Sequence, residues 1–190
     1  MHRRPLLALI DDYARRFPAE RAVADRFAAF VGAHDDCFER TCVPGHVTGS
    51  AWVVTHDGAR FLLTLHRKLG RWLQLGGHAD GDPDVAWVAL REASEESGIA
   101  GLALVPIAGR VRVLDLDAHE IPARGAEPAH VHWDVRFLVA APPDAAIVVS
   151  DESLALRWFP ADVPLAVPHD ESVARLQRKA GAVDWPHRKG

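Results

Sequence analysis

A chain of 190 residues, 48% of them hydrophobic, is long enough to bury a sizeable core without disulfides or a structural metal. Its formal net charge of −4 argues against a nucleic-acid-coating surface, so no stable nucleic-acid partner is expected. No apolar run approaches the roughly 18–20 residues of a membrane span, and Arg3-Arg4 precede only a short apolar stretch cut by Asp11 and Asp12. A cytoplasmic protein without a membrane partner is the expectation. Cys37 and Cys42 read as free thiols of a reducing compartment.

Residues 5–33 read as two helices. Pro5 suits a first turn, and Leu6, Leu7, Leu9, Ile10, Tyr13 and Phe17 supply an apolar face. Pro18 interrupts the pattern, which residues 19–31 resume until Gly32. With the polar connector at 35–44 they form an N-terminal helical extension, residues 1–44, expected to pack on the core. A lid, a packing element and a dimer contact are all open to it.

Residues 47–55 and 60–66 read as strands joined at Asp57-Gly58, a hairpin dipeptide. The second strand runs into a basic turn carrying Arg67, Lys68 and Arg71. These three are candidates for holding phosphates, or they form an ordinary solvated turn.

Residues 72–75 are an apolar run that ends in Gly76-Gly77, and a helix follows the loop. Its apolar stripe is Val85, Val88, Ala89 and Ala93, and Gly98 is placed to cap it in the left-handed conformation. Glu92, Glu95 and Glu96 share one face of that helix. Like charges at that spacing repel, and a hard divalent cation would offset the cost. The alternative is a solvated acidic face. The glycines in front allow the backbone to approach a metal or phosphate closely.

This stretch, GGHADGDPDVAWVALREASEESGI, resembles the Nudix box. Five residues separate Gly77 from Pro83, which stands where the box has its first glutamate. Then come Arg91-Glu92, Ala93 in place of a larger aliphatic, Glu95-Glu96, Gly98 and Ile99. In the family the first glutamate pairs with the motif's arginine, and Asp82 or Asp84 is the candidate replacement. The resemblance implies a Nudix α/β/α sandwich with a mixed β-sheet, spanning residues 45–180. It also implies hydrolysis of a diphosphate linking a nucleoside or similar group to another moiety. Mg²⁺ or Mn²⁺ would be held by Glu92, Glu95, Glu96 and the Gly76 carbonyl. Glu92 or Glu96 would position or deprotonate a water, and Arg91 would orient the glutamates. The partner would be a small-molecule diphosphate, and homodimers are common in the family.

Two other classes stay open. Isopentenyl-diphosphate isomerases place a metal-binding histidine after the same turn and a second one entering an early strand, and His78 and His46 are similar to these. Those enzymes also need a cysteine near the turn, where this chain has Leu75-Gly76-Gly77. The other class is a non-catalytic Nudix-fold ligand sensor, suggested by Pro83 and opposed by the intact glutamates.

Beyond the box, residues 103–116 contain a strand and residues 117–129, with Pro122, Gly125 and Pro128, read as a long loop suited to a substrate lid. The next strand, 130–140, alternates His130, His132, Asp134 and Arg136 against Val131, Trp133, Val135 and Phe137. His78, His130 and His132 are candidates for touching metal or phosphate, or they are ordinary sheet residues. His119 carries the same two readings. A last strand covers 151–159, with Glu152 a further candidate carboxylate, and Pro160 ends it. Residues 170–180 form a closing helix, and 181–190 read as a loose tail. Trp52, Trp72, Trp87 and Trp133 are candidate base platforms or core residues.

Overall fold

A computed structural model of the chain describes residues 2–125, 128–149 and 153–185. In chain order these form α1 (Arg4–Arg16), a 3-10 turn (Pro18–Glu20), α2 (Arg21–Ala33), β1 (Gly45–Val54), β2 (Arg60–His66), β3 (Trp72–Leu73) and β4 (Leu75–His78). There follow α3 (Val85–Ser97), β5 (Ala103–Leu104), β6 (Val113–Ile121), β7 (His130–Ala140), β8 (Ser153–Pro160) and α4 (Glu171–Gly181). The eight strands make one mixed sheet.

At its centre β1 and β7 run parallel, in register from Gly45↔Val131 to Val54↔Ala140. The middle of β1, Thr48 to Ala51, pairs antiparallel with β4, and its end pairs with β2. β6 and β5 pair antiparallel with β7 on its other side, and β8 pairs with β2. Because side chains alternate along a strand, this pairing sorts residues to two faces. Val47, Trp133, Val135 and Phe137 join one core with α1, α2 and α3. Trp52, Leu63, Leu114, Leu138 and Phe159 join a second core with Val173 and Leu176 of α4. The architecture is therefore the expected α/β/α sandwich.

The helices follow from their residues. On α1 the buried positions Leu6, Ile10, Tyr13 and Ala14 recur at three- and four-residue spacing. On α2, Phe27 and Phe30 pack edge-on and face-on against Trp133. The whole extension thus shares its core with the domain rather than standing off it. On α3, Asp84 caps the first turn by accepting the Trp87 N–H, and Gly98 closes the last with φ of 67°. Gly49 lets α3 sit close to β1, since a Cβ there would stand 2.8 Å from the Val85 carbonyl oxygen.

One expectation needs correction. The segment 117–129 is not all loop, because β6 continues through Ile121 and pairs residue by residue with β7 as far as Ile121↔His130. Asp117, His119 and Ile121 lack the apolar alternation of a half-buried strand, yet the neighbouring strand imposes the conformation. The connection that could serve as a lid is correspondingly shorter. Glu152 lies outside the described residues, as do 186–190 of the tail.

Candidate active site and the polar face behind it

The glycine turn and the acidic helix meet at β4. Glu96 accepts a hydrogen bond from the Gly76 N–H at 3.0 Å. Glu92 lies against Gly77, where an added Cβ would collide with its carboxylate. A glycine is required here by close approach, as the paired glycines suggested. Glu95 is more exposed and shares Arg91 with Glu92, at 3.7 and 2.8 Å respectively. Burial pushes the Glu92 carboxyl above its ordinary range; Arg91 pulls it down and the Glu95 charge pushes it up. Two carboxylates converging on a backbone turn, one of them half-buried, form a donor set suited to a hard divalent ion.

Arg91 takes its partners from its own helix and from the His78 carbonyl, at 3.2 Å. Asp84 caps α3 and Asp82 accepts the Asp84 N–H, so both are engaged in the turn before the helix. Neither replaces the missing first glutamate as a partner of Arg91. Asp80 sits near this corner in an ion pair with Arg40, which holds its carboxyl below the ordinary range.

The other face of the sheet is polar along much of β7. Asp134 is a hub: Thr48, Ser50, Gln74 and Arg136 all donate to it, at 2.7–3.2 Å. Arg136, 2% exposed, also reaches Asp115, Asp117 and Ser172. Arg175 and Lys179 of α4 complete this network on Asp115, and Tyr13 of α1 joins it.

At the N-terminal end of the same face the histidines gather. Parallel register sets His46 beside His132, and antiparallel register sets His119 on its other side. His130 lies two residues earlier on β7, with its Nε2 3.1 Å from that of His132. The ring of His78 comes within 5.0 Å of those of His46 and His132. Burial, then the neighbouring imidazoles, lower His46 to about 4 and His132 to about 2, so both are neutral at pH 7. His46 is 3% exposed and neither of its ring nitrogens has a hydrogen-bond partner.

The structure thus brings Glu92, Glu96 and Gly76 together, with Glu95 and Arg91 beside them, and gathers His78, His130 and His132 in one cluster. Arg67, Lys68 and Arg71 are exposed in the β2–β3 turn, where Arg67 donates to the Ser153 carbonyl at 3.3 Å. Trp52, Trp72 and Trp133 are core residues, whereas Trp87 on α3 is exposed. Cys37 and Cys42 are free and buried, and burial pushes both thiols up to about 11. What sequence reasoning missed is the Asp134–Arg136 network and the meeting of His46 with His130 and His132. The alternation of β7 signals a polar face; its partner in parallel register, 80-odd residues away, does not announce itself.

The NUDIX domain profile matches residues 46–178, about 70% of the chain. The chain belongs to the Nudix family. It is accordingly a Nudix pyrophosphohydrolase. Among solved structures it is similar to a C. elegans Ap4A hydrolase, at 18% identity and a TM-score of 0.55 over 72% of this chain and 95% of that one. It is also similar to a MutT NUDIX hydrolase from Burkholderia pseudomallei, at 25% identity and 0.52 over 70% and 95%. The E. coli dihydroneopterin triphosphate pyrophosphohydrolase is matched at 23% and 0.54 over 72% and 94%. No curated protein sequence matches the chain significantly. Among the described residues no helix is long and apolar enough to cross a membrane.

Proposed function

We propose that this enzyme hydrolyses the diphosphate of a small molecule in which a nucleoside or similar group is linked to a second moiety. The observation that carries this reading is the convergence of Glu92 and Glu96 on the Gly76-Gly77 turn. Glu92, Glu95, Glu96 and the Gly76 carbonyl would hold Mg²⁺ or Mn²⁺, oxygen donors matched to a hard ion. When bound, such an ion neutralises diphosphate oxygens and makes water a stronger acid.

The chain's own groups divide the remaining work. Glu92 has the properties of a base that accepts a proton from the attacking water. It is half-buried, and burial holds its carboxyl above the ordinary range. Glu96 is fixed by the Gly76 N–H and so holds its second oxygen in a constant place. Arg91 bridges Glu92, Glu95 and the His78 carbonyl, which ties the helix to the end of β4 and orients both carboxylates. The relatives named for Ap4A and dihydroneopterin triphosphate support a nucleotide-like substrate class.

The test is phosphate release from nucleotide sugars, ADP-ribose, dinucleoside polyphosphates, nucleoside triphosphates and isoprenoid diphosphates, with phosphatase added to reveal monophosphates. Wild type is expected to turn over at least one of these with Mg²⁺ or Mn²⁺ and none with chelator. Glu92→Gln and Glu96→Gln should each lower kcat about 100-fold or more, the range a positioned acid–base group supplies. Undiminished turnover in both variants, or in chelator, overturns the reading. Tight ligand binding without turnover in either form would point to a sensor.

A further inference from the structure

The carboxylates beside β4 leave the histidine cluster unexplained, although all five of its members come from paired strands. We propose that His46, His130 and His132 form a second metal centre, selective for a borderline transition ion of the zinc type over magnesium. This rests on the cluster alone and stands apart from the reading of the glutamate site.

Three observations support it. Each of the three residues presents a ring nitrogen within 4.8 Å of the other two. The His130 and His132 Nε2 atoms are 3.1 Å apart, and four-coordinate zinc with bonds of about 2.0–2.1 Å sets its nitrogens about 3.3–3.4 Å apart. For that pair a shift of a few tenths of an ångström would suffice. Without an ion, His130 and His132 can share one proton, but His46 gains nothing. Its two buried nitrogens find no partner, a state that folded proteins avoid because the loss of water is not offset.

The scaffold is arranged for ligation. His46 and His132 are register partners on the two central strands, so their separation is set by backbone pairing. His130 has its Nδ1 3.0 Å from the Pro128 carbonyl, an outer bond that places the proton on Nδ1 and so makes Nε2 the ligating atom. Imidazole donors favour zinc, copper, nickel and cobalt over magnesium, which prefers oxygen. Three protein ligands leave a fourth position for water or a substrate oxygen.

Co²⁺ and Zn²⁺ are the probes, with tag-free protein in excess Mg²⁺ so that a hard oxygen site is filled. Titration with Co²⁺ should give one equivalent and the intense visible bands of a four-coordinate ion. X-ray absorption at the zinc edge on the wild-type protein should show at least three imidazole nitrogens at about 2.0 Å. His46→Gln and His132→Gln should each weaken binding about 100-fold or more, whereas Glu96→Gln should leave it within about twofold. If the histidine variants do not fold, the absorption spectrum of wild type still decides. The proposal is overturned by absence of stoichiometric binding, by an all-oxygen shell, or by loss of binding in Glu96→Gln with retention in His46→Gln.

Discussion

Arg136 and His46 are buried on the same face of the same sheet, on neighbouring strands, and their surroundings are opposite. Arg136 donates to Asp134, Asp115, Asp117 and Ser172, and Arg175 and Lys179 balance the carboxylates in turn. That network is closed on itself and pins α1 and α4 to the sheet. His46 has rings around it and no hydrogen bond. A buried polar group that satisfies itself is a structural device; one that does not is better read as prepared for something else. The glutamates of α3 stand between these cases: Glu92 and Glu95 share Arg91, and Glu96 accepts from the glycine turn.

Removing the arginine should have the largest effect. Arg136→Met would leave three carboxylates without their shared cation, and breaking such a buried pair costs about 3–5 kcal/mol. Urea unfolding should show that loss; a change below about 1 kcal/mol would mean the network is not what holds α4. A smaller effect is expected at the turn. Gly77→Ala puts a methyl group into the space of the Glu92 carboxylate, so kcat should fall about 10-fold, near 1.4 kcal/mol of barrier, while the fold survives. Unchanged turnover would show that Glu92 need not lie against the turn.

The mildest probe is acid. Burial raises Asp115 and Asp117, but hydrogen bonds and the charges of Arg136, Arg175 and their neighbours outweigh it and hold both below the ordinary range. The folded state therefore binds fewer protons than the unfolded chain near and below pH 4, and the stability these groups contribute is lost as pH falls through that window. Wild type should lose stability between about pH 4 and 2 more steeply than Arg175→Met, in which part of the charge support is gone. Parallel curves would place the stabilising cation elsewhere.

Local features were legible and long-range ones were not. The α3 stripe, its Gly98 cap, the β2 limits and the shared face of His130, His132, Asp134 and Arg136 all follow from spacing of two or of three to four residues. The carboxylate site was readable because its parts lie within about twenty residues of one helix and turn. The histidine centre was not, since His46 and His132 meet through parallel pairing, which sequence spacing does not encode. The extent of β6 was hidden for the same reason. Its polar residues are strand because β7 lies beside them, and the same polarity alone reads as loop. Asp82 and Asp84 illustrate a different failure: a helix start competes for short acidic side chains, and here it took both.

Two cation sites of different chemistry are proposed for this Nudix fold, oxygen donors on α3 and imidazoles on β1 and β7. Anomalous diffraction from crystals soaked in Mn²⁺ and Zn²⁺ together, recorded at both absorption edges, tests this most directly. Manganese is expected at Glu92, Glu96 and the Gly76 carbonyl, and zinc at His46, His130 and His132. Both metals at the glutamates, with no anomalous density among the histidines, would contradict this.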